Sequence, residues 1–418
     1  MITLVEVLGY RCLRFVRQPL GPLQILVGPN ASGKTTFLDV ISFLGTLVAT
    51  GPEAAFRERT QNPLDLFWSR QPGTFQLALE ARFPEAYREK LRGRHFDTIR
   101  YVVSIEVDPQ TLEPSINTER ALFKTSSNPA PQQRSLFPET FPPPTTILTT
   151  RSRAVQFILN KVAGRNDNFY SEVYQKSGKG WAPSYKLGPD RSTLGNLPAD
   201  ESSFPVATWF KELLQQGVQR IMLNSLLLRQ ASPPGHSRGF RPDGSNLPWV
   251  IQELKQKNPS SFQDWLAHLR TALPEVQDVR VVVREDDKHA YLVVHYSGGL
   301  TVPSWVVSDG TLRLLALTIL AYIPSFRGIY LIEEPENGIH PTAVETVYQS
   351  LSSVYSGQVL VASHSPVLLN IARPDQILCF ARDQDGATDI VRGSEHPALR
   401  EWRGEVPLGS FFASGILG

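Results

Sequence analysis

A short apolar run, a glycine-rich turn and an amphipathic helix follow one another at residues 23–48, LQILVGPNASGKTTFLDVISFLGTLV. The run LQILV is aliphatic and strand-forming, and from Lys34 onward apolar residues recur at helical spacing. The turn fits the pattern Gly, four residues, Gly-Lys-Thr over Gly28–Thr35. Glycines let such a loop curl so that its N–H groups point inward, and the helix directs its positive end at the same point. The segment therefore predicts a strand–loop–helix unit that cradles phosphate groups.

The residue types in this loop predict separate contacts with a nucleotide. Lys34 would neutralise the β and γ phosphate charges, and the Thr35 hydroxyl would bind magnesium. The other loop residues expected to contact the nucleotide are Gly28, Asn30, Ser32, Gly33 and Thr36. The alternative interpretation is a glycine-rich turn with a purely structural role.

A second candidate element is the sequence IYLIEEPE, in which four strand-forming residues lead into acids. A strand that ends in two acids places them at the carboxyl edge of a sheet, where open α/β folds bind ligands. Glu333 would hold the magnesium shell, and Glu334 would orient or deprotonate the water that attacks the γ-phosphate. The alternative is a solvated acidic loop.

Two further segments carry candidate residues. Ser308, Asp309 and Gly310 stand just before an amphipathic helix. The segment could be a plain helix cap, with Asp309 or Thr311 as the capping residue. Alternatively, the Ser308 hydroxyl and the exposed amides at this helix start could grip the γ-phosphate of a nucleotide held by a second subunit. His364 directly follows the apolar strand QVLVAS, which places it at the same sheet edge as the acids. It is either a structural histidine or a γ-phosphate sensor.

Strand and helix patterns alternate along the rest of the chain. Strands are expected at 75–83 and 99–106, and helical spacing returns at 151–163 and 205–229. The segment from about Glu113 to Thr150 is rich in Pro, Ser and Thr and predicts a loop or extended connector. After residue 248, strands alternating with helices favour a parallel sheet with helices on its faces.

Composition excludes several classes of protein. Lys and Arg number 42 against 40 Asp and Glu, so the formal net charge of +2 indicates no uniform field that would attract nucleic acid or a membrane. The two cysteines, Cys12 and Cys379, cannot form a disulfide framework. The most apolar segment, 312–323, falls short of the roughly 20 residues that a membrane span needs. We therefore expect a cytoplasmic protein with no membrane contact and no secretory signal.

These elements, in this order and with about 300 residues between the loop and the acidic strand, resemble the ABC-type ATPase heads of the RecF, SMC and OLD families. The segments that carry the likeness are YRCLRF, GPNASGKTTFLD, RPDGSNLP, VSDGTLRLLAL, LIEEPENGIHP, ASHSP and LGSFFASGILG. The resemblance covers about residues 1–106 and 240–418. It is most specific to prokaryotic AAA-labelled ATPases that are similar to the ATPase half of OLD nucleases.

The resemblance implies an α/β P-loop NTPase fold with an ABC-type (RecF/SMC-like) split head and an inserted, mainly helical middle subdomain. The expected domains are an N-terminal lobe at 1–106, an insert at 107–247 and a C-terminal lobe at 248–418. ATP and Mg²⁺ would be bound, Ser308–Gly310 would be the signature segment, His364 the switch histidine, and Asn337–His340 the D-loop.

The same resemblance implies a homodimer or higher even oligomer whose ATP-driven closure gates a separate effector, a nuclease or toxin, in anti-phage defence or genome maintenance. A RecF-like repair ATPase that binds DNA directly is the alternative. The signature reads VSDGT instead of LSGGQ, which speaks against a membrane transporter. The Q-loop glutamine is not assigned, although Gln61 and Gln76 lie in the expected lobe.

A nuclease acting alone is a third possibility, because Asp383 and Asp385 superficially match the paired acids of Toprim domains. Only 33 residues follow Asp385, and Asp385-Gly386 is typical of a hairpin turn, so we expect a turn. The basic run at 88–95 and the pair Arg151 and Arg153 could contact DNA but equally suit solvated surface. Trp181 and Trp209 are expected in the core.

Overall fold

A computed structural model of the 418-residue chain shows a mixed α/β architecture. The structure describes residues 1–89, 91, 95–126, 134–173, 182–235, 239–324, 326–399, 402 and 406–417. The helices are α1 Lys34–Thr50, α2 Pro52–Arg57, α3 Glu85–Arg88, α4 Pro205–Glu212, α5 Ser225–Arg229, α6 Leu247–Lys257, α7 Pro259–Ala272, α8 Asp309–Thr318, α9 Pro341–Ser352, α10 Pro366–Ile371 and α11 Leu408–Ala413.

Strands in the first half of the chain are β1 Ile2–Tyr10, β2 Leu13–Pro19, β3 Leu23–Val27, β4 Thr74–Arg82, β5 Thr98–Val107, β6 Pro114–Lys124, β7 Gln156–Val162, β8 Asp167–Phe169 and β9 Ser184–Tyr185. Strands in the second half are β10 Val218–Ile221, β11 Val276–Val283, β12 Ala290–Tyr296, β13 Thr301–Pro303, β14 Ile329–Glu333, β15 Gln358–Ala362, β16 Ile377–Arg382 and β17 Thr388–Arg392.

These strands form an antiparallel sheet, a mainly parallel sheet and a small meander. The antiparallel sheet has the order β2-β1-β4-β5-β6-β7-β8-β9. The mainly parallel sheet has the order β10-β14-β15-β3-β16-β17, in which only the last pair is antiparallel. The meander is β11-β12-β13. Because neighbours in the parallel sheet are distant in sequence, the sheet brings the ends of β3, β14 and β15 together.

Helix α1 lies between the two large sheets. Its side chains Phe37, Phe43 and Leu44 belong to one apolar core that also contains Leu26 of β3 and residues of the antiparallel sheet. The neighbouring residue Ile25 belongs to a second core, built with helices on the other face of the parallel sheet. Successive strand residues point to opposite faces, so a strand buried on both faces must be apolar throughout. This accounts for the uninterrupted run LQILV.

The segment 134–150, which we call the connector, crosses the outer face of the antiparallel sheet without forming a strand. The amide N–H of Ile147 donates to Gln76 Oε1 at 2.8 Å, and Arg100 donates to the Ile147 carbonyl at 3.0 Å. At its other end, Arg134 donates to both carboxylate oxygens of Asp389, at 2.5 and 2.6 Å. The connector therefore joins the antiparallel sheet to β17.

The predicted fold class is confirmed, whereas the expected helical middle is wrong in its first half. Residues 151–163 contain strand β7, and Pro114–Lys124 is strand β6 instead of the start of a loop. Both strands extend the antiparallel sheet beyond the boundary predicted after residue 106. The interval 205–229 contains helices α4 and α5, but strand β10 lies between them. Within the described residues, no helix combines the length and apolarity needed to cross a membrane.

Candidate functional site

The loop from Gly28 to Thr35 has the strained backbone that its glycines predict. Gly28 and Gly33 have φ values of 148° and 104°, a region that side chains other than glycine rarely adopt. A Cβ on Gly28 would collide with the Phe380 carbonyl oxygen, and one on Gly33 with the Thr388 hydroxyl. Alanine at either position would therefore displace the loop from the β16–β17 hairpin.

Lys34 is buried and folds back on its own loop. Its Nζ donates to the carbonyl oxygens of Gly28 and Pro29, both at 2.8 Å. Burial lowers the pKa of Lys34 to about 8, and the nearby Glu334 carboxylate partly opposes this shift. The ammonium thus lacks a bonded carboxylate in the described structure, and a phosphate would supply the missing negative charge.

The ends of α1 and β14 meet at Thr35 and Glu333. The Thr35 hydroxyl donates to Glu333 Oε2 at 2.6 Å. Arg220, on β10, donates to the other oxygen, Oε1, from Nε at 3.1 Å and from Nη2 at 2.5 Å. A hydroxyl and a carboxylate at this separation provide the hard oxygen ligands that Mg²⁺ prefers.

Glu334 follows directly in a constrained backbone. Its φ is 47°, a left-handed conformation that is disfavoured for a residue with a Cβ. Its N–H donates to the Ala362 carbonyl at 2.8 Å, and Asn337 Nδ2 donates to its carboxylate oxygen Oε2. The adjacent acids Glu333 and Glu334 thus have different partners, as two acids with different roles require.

His364 is fixed by a third acid. Glu336 Oε1 accepts a hydrogen bond from the Ser363 hydroxyl at 2.7 Å and from the His364 N–H at 2.9 Å. Burial lowers the pKa of the His364 imidazole, and the Lys34 charge lowers it further, against the opposing effect of Glu334 and Glu336. The imidazole is therefore neutral at pH 7 and can both donate and accept a hydrogen bond.

A cavity of about 310 Å³ unites most of these side chains. It is lined by Cys12, Asn30, Ala31, Ser32, Gly33, Lys34, Thr35, Thr36, Glu333, Glu334, Ala362, His364 and Arg382. Gly28, the first residue of the loop, does not line the cavity, and its carbonyl accepts a hydrogen bond from Lys34 Nζ. A second cavity, of about 650 Å³, shares Cys12 and Arg382 with the first, so the two spaces adjoin.

The predicted signature residues lie outside this cavity of their own chain. Ser308 caps α8 by accepting from the Thr311 N–H at 3.2 Å, and Asp309 forms an ion pair with Arg229 at 2.7 Å. A Cβ on Gly310 would lie only 2.6 Å from the carbonyl oxygen of Gly338. The signature segment therefore packs against the predicted D-loop.

Several site residues were not predicted from the sequence. Arg220 was assigned to a helix, although the run VQRI is β-branched and precedes a turn. Arg382 and Cys12 line the cavity from β16 and the β1–β2 turn, and Glu336 was treated as part of an acidic run. Neither Gln61 nor Gln76 lines the cavity, so the Q-loop stays unassigned.

The remaining sequence candidates lie elsewhere. Asp383 and Asp385 stand in the β16–β17 turn, where Asp383 Oδ1 accepts from the Asp385 N–H at 2.9 Å and Asp385 pairs with Arg14 at 3.0 Å. Across the described residues, no three His, Cys, Asp or Glu side chains are grouped to hold a metal ion. Trp209 is partly buried against the first core, while Trp181, Lys90, Arg92 and Arg94 lie outside the described residues.

The cavity fits a nucleotide with Mg²⁺ on physical grounds. Among the described residues, no side chain caps the N-terminus of α1, so its first amides have no side-chain acceptor there. Ser32 Oγ is likewise buried with no hydrogen-bond partner in the part of the chain that the structure describes. An anion at the loop would satisfy these donors, and Mg²⁺ needs only one or two carboxylates when phosphates supply the other ligands.

Comparison with known proteins identifies the fold and a relative of this chain. An Smc head bound to the C-winged helix domain of ScpA superposes with a TM-score of 0.54 at 14% identity, covering 93% of this chain and 97% of that one, which shows a shared fold. An OLD nuclease from Thermus scotoductus is 46% identical over 450 aligned positions, which cover 99% of this chain and 68% of the relative.

Fold and relatives together define the class as an ATPase of AAA/ABC type related to OLD nuclease. A family model matches residues 23–370. The chain belongs to that family, described as "AAA domain, putative AbiEii toxin, Type IV TA system".

Proposed function

We propose that this chain binds and hydrolyses ATP in the cavity at the Gly28–Thr35 loop. The observation that carries the proposal is the convergence of Lys34, the Thr35–Glu333 pair, Glu334 and His364 on one space of about 310 Å³. A cation, a metal-ligand pair and a base around a phosphate loop are the groups that phosphoryl transfer uses. The His364 imidazole adds a hydrogen-bond donor to the same space.

Each residue then has a chemical role in the reaction. Lys34 leaves the carbonyls of its loop and binds the β and γ phosphates. Thr35 and Glu333 would hold Mg²⁺, which supplies positive charge to the phosphates when bound. Glu334 accepts a proton from a water molecule as that water attacks the γ-phosphorus and the bond to the β–γ bridging oxygen breaks. His364 donates a hydrogen bond to the departing phosphate.

The position of the signature segment supports a nucleotide shared by two chains. Ser308 and Gly310 do not line their own cavity, so they can reach a phosphate only on another copy. Exposed apolar side chains lie in the same region: Trp305 is 48% exposed, Val306 63% and Leu226 71%. We therefore propose a head-to-head homodimer, or a higher even oligomer, that closes on two ATP molecules.

Dimer closure would control a separate protein. The OLD nuclease relative links the family to phosphodiester cleavage, whereas Asp383 and Asp385 of this chain are engaged in a hairpin turn. We therefore assign the effector activity to a separate nuclease or toxin partner, in anti-phage defence or genome maintenance. This ATPase would control when that partner is active.

Replacing Glu334 by glutamine tests the proposal. Loss of a general base costs on the order of a hundredfold or more in rate, so hydrolysis falls by about that factor while ATP binding persists. The variant should remain dimeric with ATP and Mg²⁺, and the wild-type protein should return to monomers as ATP is consumed. Phosphate release and light scattering after size exclusion measure both results.

Glu345→Gln makes the same chemical change on the exposed surface of α9 and serves as the control. It should hydrolyse ATP at the wild-type rate. Wild-type turnover by Glu334→Gln, or a monomer at saturating ATP, would show that the assignment is wrong.

A further inference from the structure

A groove of about 450 Å³ lies on the outer face of the antiparallel sheet and shares no lining residue with the P-loop cavity. We call it the arginine groove. Its lining residues are Arg120, Thr150, Arg151, Phe157, Asn160, Val162, Arg165, Asn166, Asn168 and Tyr170. This described lining contains three arginines and no carboxylate.

Strand register brings the polar side chains of the groove into one row. Arg120 on β6 pairs with Asn160 on β7, which pairs with Asn168 on β8. Paired residues on adjacent strands project from the same face, so these three side chains lie side by side. Arg165 stands in the turn between β7 and β8 and lines the same groove.

Arg120 is held by two hydrogen bonds and has no acidic partner among the described residues. Its Nε donates to Asn160 Oδ1 at 3.2 Å and its Nη1 to the Thr149 carbonyl at 2.9 Å. Burial, and then the charge of Arg151, lower the pKa of Arg120. Because Asn160 accepts through its oxygen, its NH₂ group remains a donor for a ligand.

Arg151 is positioned by two aromatic rings. Its guanidinium carbon lies 5.5 Å from the Phe157 ring centre and 5.8 Å from that of Tyr170, and its Nη2 donates to the Tyr170 hydroxyl at 2.9 Å. Stacking fixes the plane of the guanidinium and leaves most of its N–H donors unused.

Arg100, on the same face of the sheet, differs from the groove arginines because it has acidic partners. Arg100 donates to Glu6 at 2.6 Å and to Glu80 at 3.1 Å, so its charge is balanced within the sheet. The charges of Arg120 and Arg151 repel each other, and no carboxylate among the described lining residues balances them. A bound anion would offset this repulsion.

We propose that the arginine groove binds the phosphate groups of nucleotide units, either in a nucleic-acid strand or in a free nucleotide. The inference goes beyond the ATPase proposal and does not depend on it. Guanidiniums recognise phosphate through paired N–H donors, and amide NH₂ groups add neutral contacts to the same ligand.

The test uses the full chain with Lys34→Ala, which removes the P-loop contribution. Fluorescein-labelled single-stranded and duplex 20-mers, and a fluorescent ATP analogue, are titrated at several salt concentrations. Adding Arg120→Gln and Arg151→Gln should weaken binding about tenfold or more and reduce the salt slope by about two. Preference for an oligomer or for the free nucleotide identifies the source of the phosphate.

Two further variants keep the test interpretable if the double change disturbs folding. Arg165→Gln removes an exposed side chain that forms no hydrogen bond or ion pair with the described residues, and it should reduce the salt slope by about one. Arg153→Gln removes the same charge close in sequence but outside the groove lining. The Lys34→Ala chain with this added change should bind the probes as tightly as Lys34→Ala alone. Equal losses with Arg153→Gln, or no binding of any probe to the Lys34→Ala chain, would overturn the proposal.

Discussion

At the scale of single residues, Lys34 is the cation that the phosphate loop holds among its own carbonyl groups. Two carbonyl oxygens hold its ammonium group, and burial lowers its pKa to about 8. Carbonyl dipoles stabilise a positive charge less than a phosphate does, so the residue is poised to exchange partners.

This pKa predicts how ATP affinity depends on pH. Phosphate contact favours charged Lys34, so the pKa rises on binding and a proton is taken up whenever the free protein has lost it. The dissociation constant should be level from pH 7 to about 8 and should then rise by up to about tenfold per pH unit. Titration with a fluorescent ATP analogue between pH 7 and 9.5 measures this change.

Lys34→Arg is the control, because a guanidinium stays charged over this range. Its affinity can be lower at every pH, but it should show no bend near pH 8. A bend of the same size in both proteins would assign the titration to another group.

Some residues of the site can be recognised from the adjacent sequence, and others only from partners that are distant in the sequence. The loop, the acids after β14 and the histidine after β15 each belong to a strand end that its own neighbours in sequence reveal. Arg220 and Glu336 act through partners 113 and 27 residues away, and these contacts exist only after the sheet has formed. The spacing of apolar residues along the sequence does not predict contacts between residues so far apart.

At the scale of elements, the connector is held by a few polar contacts. Asp389 accepts two bonds from Arg134 and a third from the Glu139 N–H at 2.8 Å. Asp389 is 9% exposed, so water does not readily replace these bonds.

Asp389→Asn should therefore loosen this end of the connector. Removal of charged hydrogen bonds at a buried site costs about 2 kcal/mol in the free energy of unfolding. Limited proteolysis should cut the 134–150 segment faster in the variant, and urea denaturation should show the loss of stability.

Asp375→Asn is the matched control, since Asp375 pairs with Arg373 on the surface, where both side chains are more than half exposed. Such a pair contributes little, so its loss should leave both measurements near those of the wild type. A similar effect from the two variants would mean that Asp389 does not anchor the connector.

The element that was predicted incorrectly shows what pattern analysis misses. Residues 151–163 have apolar spacing compatible with a helix. In the structure, however, Gln156–Val162 form strand β7, which pairs with β6. A bulge in β6–β7 pairing between Ala121 and Leu122 shifts the alternation of side chains and hides the two-residue period. Strands β4 and β5, which pair with each other and are close in sequence, were predicted correctly.

At the scale of the whole molecule, a shared site predicts complementation between two inactive chains. Lys34→Ala removes the phosphate cation, and Ser308→Arg blocks the signature segment. Each variant alone should lack ATPase activity. In an equal mixture half of the dimers are mixed and each has one intact site, so about a quarter of wild-type activity should return.

A chain carrying both changes, mixed with Lys34→Ala, forms no intact site and should stay inactive. Phosphate release at equal total protein compares the mixtures. Failure of Lys34→Ala and Ser308→Arg to restore each other would show that each chain completes its own site.

The connector gives the molecule a continuous path between the phosphate-loop cavity and the arginine groove, the two surfaces for which we propose anion binding. One end touches Arg120 through the Thr149 carbonyl, and the other is tied to Asp389. The preceding residue, Thr388, donates from its hydroxyl to the Ser32 carbonyl at 2.9 Å, inside the phosphate loop. If filling the groove shifts this tether, ATP affinity must change, and thermodynamic reciprocity requires ATP to alter groove affinity by the same factor. The connector, which forms no helix or strand, would then couple ligand binding at one surface to ligand binding at the other.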